Sequence, residues 1–473
     1  MTPFRFLFSC LLGASLLLSP ACSGVSGGRE DGGDPGEDEK PGLENGLISE
    51  EMRQELSDYF LDVIGNGYRE PDSEGAIASA DIETNAEIVW EAWKTANDSF
   101  TEQKLIETAP LAEEKYGRWN LPEELEPSAL MRYYYGSKGD MPEDGWPLYL
   151  YLHGSGDRET EWSNGLFLCS RFEDAPSLYF IPQIPNEGDW YRWWQQSKQF
   201  AWEKLLRLAL AGGEVDPDRI YVFGISEGGY GSQRLASFYA DYLAAAGPMA
   251  GGEPLKNAPA ENCANLAFSL RTGANDTGFF RNELTQYTLD EFDRLESLHP
   301  GLYKHWIELI PGSGHSIDYY PTTPWLSEYT RNPWPKYFCW ENFEMDGRRR
   351  AGFHNIQVLE DPAADMSQRT VYEMDIKGNT VDISVRTVSY ETVESRDGID
   401  MKFSKSYSDA VSGSFRVYLN EELVKLGEEL TITVNGETAF KGVLSPDVKA
   451  MAASCALFGD PRRIFPCAVD IVL

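Results

Sequence analysis

Arg219-Ile-Tyr-Val-Phe-Gly224-Ile-Ser226-Glu-Gly228-Gly229-Tyr-Gly231 decides how this chain is read. An apolar run, 220–223, leads into Gly-x-Ser-x-Gly, and a helix-type stretch, 233–242, follows. A serine held between a strand and a helix sits on a sharp turn, and the strained backbone there lifts its hydroxyl above the sheet edge. Glycines on either side let strand and helix approach without Cβ clashes. Among 43 glycines a lone Gly-x-Ser-x-Gly arises readily by accident. The strand-turn-helix setting is what makes Ser226 the candidate nucleophile.

Three further stretches supply what such a serine needs. Leu148-Tyr-Leu-Tyr-Leu-His153-Gly154-Ser155-Gly156 is a buried-type strand running into a His-Gly loop. There the N–H of Ser155 can join that of Glu227, the residue after the nucleophile, in holding an oxyanion. Leu266-Ala-Phe-Ser-Leu-Arg-Thr-Gly273-Ala-Asn-Asp276 places an acid just past a later strand. Trp306-Ile-Glu-Leu-Ile-Pro-Gly-Ser-Gly314-His315 places a histidine in a glycine-rich loop after the next. Of the five histidines, His153 lies in the oxyanion loop, His299 in a Leu-His-Pro-Gly turn, His305 at a strand start and His354 beyond this region. His315 is therefore the expected base. Asp276 is the expected acid by position, with Asp318 as its rival, and 275–277 reads equally as a helix cap.

At these residues the chain resembles the α/β-hydrolase superfamily. Val215-Asp-Pro-Asp-Arg-Ile-Tyr-Val-Phe-Gly-Ile-Ser-Glu-Gly-Gly is similar to the nucleophile region of secreted esterases. The poly(3-hydroxybutyrate) depolymerase-like and feruloyl or acetyl xylan esterase-like groups share it, as do prolyl oligopeptidase catalytic domains. The resemblance spans roughly 133–343, and the order Ser226, Asp276, His315 is the chain order of that fold. It implies acyl transfer on an ester of a small molecule or carbohydrate, with neither a metal nor an organic cofactor. Two other classes compete: a serine peptidase, and an inert glycan-binding protein on a degenerate hydrolase domain. As a whole the chain also resembles lipoprotein hydrolases of gut Bacteroidetes.

Candidate substrate contacts are less specific. Asp189-Trp190-Tyr-Arg192-Trp193-Trp194 clusters aromatics in an expected loop, where Trp190 and Trp193 would stack on a sugar or phenolic ring. Core tryptophans are an equal reading. Ala250-Gly251-Gly252-Glu253-Pro254 follows another short strand and brings Glu253 toward the same edge, unless it is a plain surface turn.

The rest of the chain sets context. Its 41 basic and 76 acidic residues give a formal charge of −35, which repels phosphate backbones and argues against nucleic-acid binding. Arg5, the apolar run 6–18 and Ser19-Pro20-Ala21 read as a signal peptide over 1–21. Cys22 follows as a candidate lipidation site, so the membrane is expected to matter only through an N-terminal anchor. An exported protein, periplasmic or on the outer-membrane surface, is the expectation. Residues 22–46 read as an acidic tether, 47–130 as a helical segment, 131–346 as the α/β domain and 347–473 as a β-rich, sandwich-like domain. Continuous apolar strands alternating with helices imply a mostly parallel sheet covered on both faces. Val434-Asn435-Gly436-Glu437 marks a hairpin. Cys455 and Cys467 are close enough in sequence to bridge, with buried free thiols as the alternative. Oligomeric state is not legible.

Overall fold

The computed structural model describes residues 42–473, so the expected signal peptide, Cys22 and most of the expected tether lie outside the described residues. Within them, the end of the expected tether is ordered. Strand β1 (Leu43–Glu44) pairs with β2 (Leu47–Ile48), because Leu43 and Ile48 pack into an apolar cluster. Helix α1 (Glu50–Asn66) follows, its first turn stabilised by the Ser49 side chain accepting from the Met52 N–H and by Glu50 and Glu51. Met52, Leu56, Phe60 and Val63 form its buried stripe, against α2 (Ile82–Ser99).

The remainder of the segment 47–130 is not helical. β3 (Tyr116–Asn120) and β4 (Leu130–Lys138), the latter at the start of the expected α/β domain, join the main sheet with β3 at its edge, where alternation around Arg118 had hidden it. The other strands are β5 (Trp146–Leu152), β6 (Ser177–Pro182), β7 (Val215–Ile225), β8 (Ala245–Met249), β9 (Ala267–Gly273) and β10 (His305–Ile310). They order as β10-β9-β8-β7-β5-β6-β4-β3, parallel from β10 to β6 and antiparallel at β4 and β3. The chain steps from β5 to β6, then crosses back to β7 on the other side of β5. Helices α3 (Arg158–Cys169), α4 (Gln196–Gly212), α5 (Glu227–Phe238), α6 (Arg281–Leu298) and the short α7 (Thr322–Leu326) fill the connections. This is an α/β-hydrolase sheet. Ligand sites on such sheets lie beyond the carboxyl ends of the parallel strands, near the point where the strand order reverses.

The C-terminal region begins earlier than expected. β11 (Tyr337–Asn342) pairs with β14 (Gln368–Lys377), although the shift in composition comes only near Gly347. β11, β14, β15 (Thr380–Arg396), β18 (Leu430–Val434) and β19 (Glu437–Gly442) form one sheet, with β16 (Ile399–Asp409) paired to β15. β12 (Gly352–Phe353), β13 (Ile356–Glu360), β17 (Ser414–Leu419) and β20 (Cys467–Val472) form the other. Trp340 of β11 stacks on Phe353 at 5.3 Å, and Tyr372 of β14 meets Phe415 of β17 edge-on at 5.5 Å, so the sheets face each other. Asn435 and Gly436 both take positive φ, as the β18–β19 turn requires.

Among the elements the sequence did not disclose is a C-terminal helix. Helix α8 (Val448–Phe458), capped by Asp447, packs on α1 and α2, so the N-terminal helices lean on the C-terminal region and on α4 rather than over the sheet edge. Cys455 lies in that helical cluster and Cys467 in the main core, and all five described cysteines are free and buried. The bridge is absent because the two face different layers. Between the α/β and β-rich regions the apolar core is continuous.

Candidate active site

β7 ends at Ile225, Ser226 follows it, and α5 begins at the next residue. Ser226 has φ 58° and ψ −112°, a conformation that costs about 1–3 kcal/mol and persists only where the surroundings over-determine it. They do. The Ser226 N–H donates to Met249 O at 3.0 Å, and its carbonyl accepts from the Tyr230 N–H. The glycines of the turn have no room for a side chain: a Cβ on Gly224 would lie 2.4 Å from Gly228 O, and one on Gly228 would lie 1.9 Å from Leu152 O.

His315 and Asp276 arrive on the loops after β10 and β9. The Asn275 N–H donates to Ser313 O at 2.9 Å, tying those loops together. His315 Nδ1 lies 2.7 Å from Asp276 Oδ2, and His315 Nε2 lies 3.0 Å from Ser226 Oγ. A carboxylate accepts only, so Nδ1 carries the proton and Nε2 is left to accept from the serine hydroxyl. The other oxygen of Asp276 accepts from Arg281 Nη1 at 3.0 Å. Asp318 is placed elsewhere, its carboxylate accepting from the Tyr320 N–H.

Ser155 and Glu227 line the same cavity as Ser226, about 520 Å³ in volume. Glu227 is the first residue of α5, so its N–H has no acceptor within the helix. The His153 ring is a buried strut. Its Nδ1 donates to Gly154 O at 2.8 Å and its Nε2 accepts from the Ile184 N–H at 3.1 Å. Tyr191 Oη–H donates to Gly154 O, fixing the loop that presents Ser155.

Of the aromatic loop, Trp193 is a core residue. It is fully buried, donates from Nε1 to His153 O and packs against Gly231 of α5. Trp190 lies off the cavity, near Lys198. Arg192 and Trp194, which flank Trp193, line it instead. Glu253 does line the cavity, with its carboxylate held by Arg234 at 2.7 and 3.1 Å. Tyr230, Phe279, Arg281 and 398–400 of the β-rich region also line it and were not foreseen. Tyr230 was detectable, four residues past Ser226 on one helix face.

The Glu227 carboxylate is the electrostatic anomaly. The residue is 8 % exposed, and Oε1 has no hydrogen-bond partner. Arg192 Nη1 stands off at 3.6 Å. Burial pushes the carboxyl up to about 7, with Glu253 adding to the rise and Arg192, Arg234 and Arg281 opposing it. A raised carboxyl stabilises the fold at low pH, and that contribution is lost as pH rises from 4.5 to about 7. Buried His153 and His354 act in the opposite sense. Burial lowers them to about 4 and about 3, so their contribution holds above 6.5 and is lost as pH falls toward 4. Glu227→Gln should therefore raise stability at pH 8 by about 1–3 kcal/mol, with the gain shrinking toward pH 4.5. Urea midpoints across pH 4.5–8 measure this, and a pH-independent difference would contradict it.

No family model matches the chain, and no curated protein does. Fold and site together define the class: an α/β-hydrolase sheet carrying a Ser–His–Asp constellation at its strand ends. Among solved structures, a thermostable esterase is similar over 46 % of this chain and 64 % of its own length, short of two thirds, at 19 % identity and TM-score 0.34. A ferulic acid esterase from Anaeromyces mucronatus is similar over 48 % of this chain and 91 % of its own, at 13 % identity and TM-score 0.33. An S-formylglutathione hydrolase from Agrobacterium tumefaciens is similar over 45 % and 91 %, at 16 % and 0.33. At these scores the likenesses assign nothing further.

Proposed function

We propose that this protein is an exported serine hydrolase of carboxylic esters. The supporting observation is the unbroken line from Asp276 through His315 to Ser226 at 2.7 and 3.0 Å, with the serine on a strained turn. His315 takes the Ser226 proton as Oγ attacks the ester carbonyl, and Asp276 holds the imidazolium. The N–H groups of Ser155 and Glu227 hold the oxyanion. His315 then gives its proton to the departing alcohol, and water activated by the same histidine resolves the acyl-enzyme. Ester carried on plant polysaccharide is the proposed natural substrate.

A peptidase is the second reading, favoured by the buried Glu227 carboxylate, whose Oε1 has no hydrogen-bond partner and could take a substrate ammonium in place of the more distant Arg192. Chromogenic short-chain esters and aminoacyl nitroanilides, assayed in parallel with wild type and Ser226→Ala, separate the two. Ser226-dependent ester turnover with inert anilides supports the esterase; anilide cleavage supports the peptidase. Silence on both points to the glycan-binding protein.

Export with a lipid anchor rests on Arg5, the apolar run 6–18 and Cys22. The mass of the mature protein should correspond to a chain starting at Cys22 plus acyl chains. An unmodified N-terminus would remove the anchor.

A further inference from the structure

β15 and β16 form a hairpin longer than the sandwich it belongs to. β14 pairs with β15 only as far as Ser389, and β18 only over Thr380–Ile383, whereas β15 and β16 pair out to Arg396 and Ile399. The outer part is a two-stranded arm, and such ribbons are marginal without a surface to lie on. This arm lies on the α/β region. Arg396 engages both carboxylate oxygens of Glu283, with Nη1 to Oε1 at 3.1 Å. Lys405 Nζ reaches Glu261 at 2.6 Å, and Lys256 Nζ reaches Asp400 at 3.2 Å. At the tip, Asp397 and Gly398 both take positive φ, and the residues 398–400 that follow line the Ser226 cavity.

The arm also bears on a strained turn. Phe279 and Phe280, just past Asp276, have φ 52° and 58°, a region that bulky side chains rarely enter. The Arg396 guanidinium lies 4.5 Å over the Phe280 ring, while Phe279 is exposed and lines the cavity. Strain of this kind clusters at ligand sites, where the surroundings hold it. A second cavity of about 430 Å³ shares Glu253 and Leu284 with the first and continues along the arm past Tyr287, Phe403 and Tyr407.

The chemistry of this groove favours one kind of ligand. Its cations are matched: Arg294 by Glu291, Lys405 by Glu261 and Glu341, Arg234 by Glu253, Arg281 by Asp276, Lys402 by Glu394 and, at 3.6 Å, Arg192 by Glu227. No net charge invites an ion, whereas aromatic faces beside fixed donors and acceptors suit sugar rings. We propose that the C-terminal arm is a specificity element of the Ser226 site, and that Asp400 and the turn held by Arg396 bind the neutral sugar portion of an ester substrate. This rests on the hydrolase reading above and deepens it.

The test compares 4-nitrophenyl acetate with a partially acetylated xylo-oligosaccharide, using the full mature chain and its Asp400→Ala, Arg396→Ala and Arg396→Lys variants. The ratio of kcat/KM for the oligosaccharide to that for the small ester should fall about tenfold in both alanine variants, mostly through KM, as the loss of one polar contact implies. Arg396→Lys should recover part of it. Equal losses on both substrates would make the arm a structural brace only and overturn the proposal, as would a ratio unchanged within about twofold. Labelling of Ser226 by a fluorophosphonate shows that each variant keeps its site. Wild-type protein that neither labels nor turns over either substrate would overturn the hydrolase reading itself.

Discussion

Ser226→Ala should lower kcat for ester hydrolysis by about 10⁴-fold or more while leaving the melting temperature within a few degrees of wild type. The magnitude follows from non-additivity. Nucleophile and base act as one unit, so losing either forfeits nearly all of the covalent pathway, and what remains comes from the oxyanion donors and binding. Stability is spared because alanine occupies the same backbone angles and removes one hydroxyl that meets only His315. His315→Ala should cost about as much, and Asp276→Asn about 10⁴-fold by favouring the wrong tautomer. The arrangement makes a finer demand on Asp276, whose second oxygen belongs to Arg281. Steady-state kinetics on a chromogenic ester decide the matter. A Ser226→Ala enzyme within about tenfold of wild type would remove Ser226 as nucleophile.

Asp241→Asn should destabilise the whole protein by about 3–5 kcal/mol. Asp241 is fully buried between two cations: Arg350 Nη2 at 3.1 Å, with Nη1 on the other oxygen, and Arg463 Nη1 at 2.5 Å. Asp460 joins Arg463 to Arg331 at 2.8 and 2.7 Å, extending the buried network. Burial alone would raise the Asp241 carboxyl, but Arg350 and Arg463 outweigh it and hold it below the ordinary range. Removing the carboxylate leaves Arg350 buried without a counter-ion and Arg463 with only the Asp460 it shares with Arg331, which costs more than the attraction contributed. Arg350 and Arg463 belong to the β-rich region and Asp241 follows α5, so the cluster rivets the two regions. With the core continuous across them, urea unfolding should remain a single transition whose midpoint drops. A loss below about 1 kcal/mol, or two separate transitions, would show that the cluster does not couple them.

Ser226, Asp276 and His315 were legible because each sits where local pattern and chemistry coincide. A short apolar strand ends, glycines mark a turn, and a residue of reactive type follows. The parallel sheet was legible for the same reason, since strands buried on both faces read as unbroken apolar runs. β3 was not, because at the edge one face meets water and the signal thins to alternation. α8 escaped because Val448–Phe458 is apolar on nearly every side, which gives no helical stripe to read.

The wall of the Ser226 cavity was the least legible part. Trp193 and Trp194 are neighbours of one residue type, and only packing decides that the first fills the core beneath His153 while the second faces the cavity. Asp400 lies 174 positions after Ser226, and nothing local marks it as a partner. By itself the sequence determined most of the parallel strands, the order of Ser226, Asp276 and His315 and the turn that strains the serine, because these depend on residues near one another in the chain. Only the tertiary structure decided which side chains close the cavity. That choice is made by contacts between distant elements, and no periodicity encodes those.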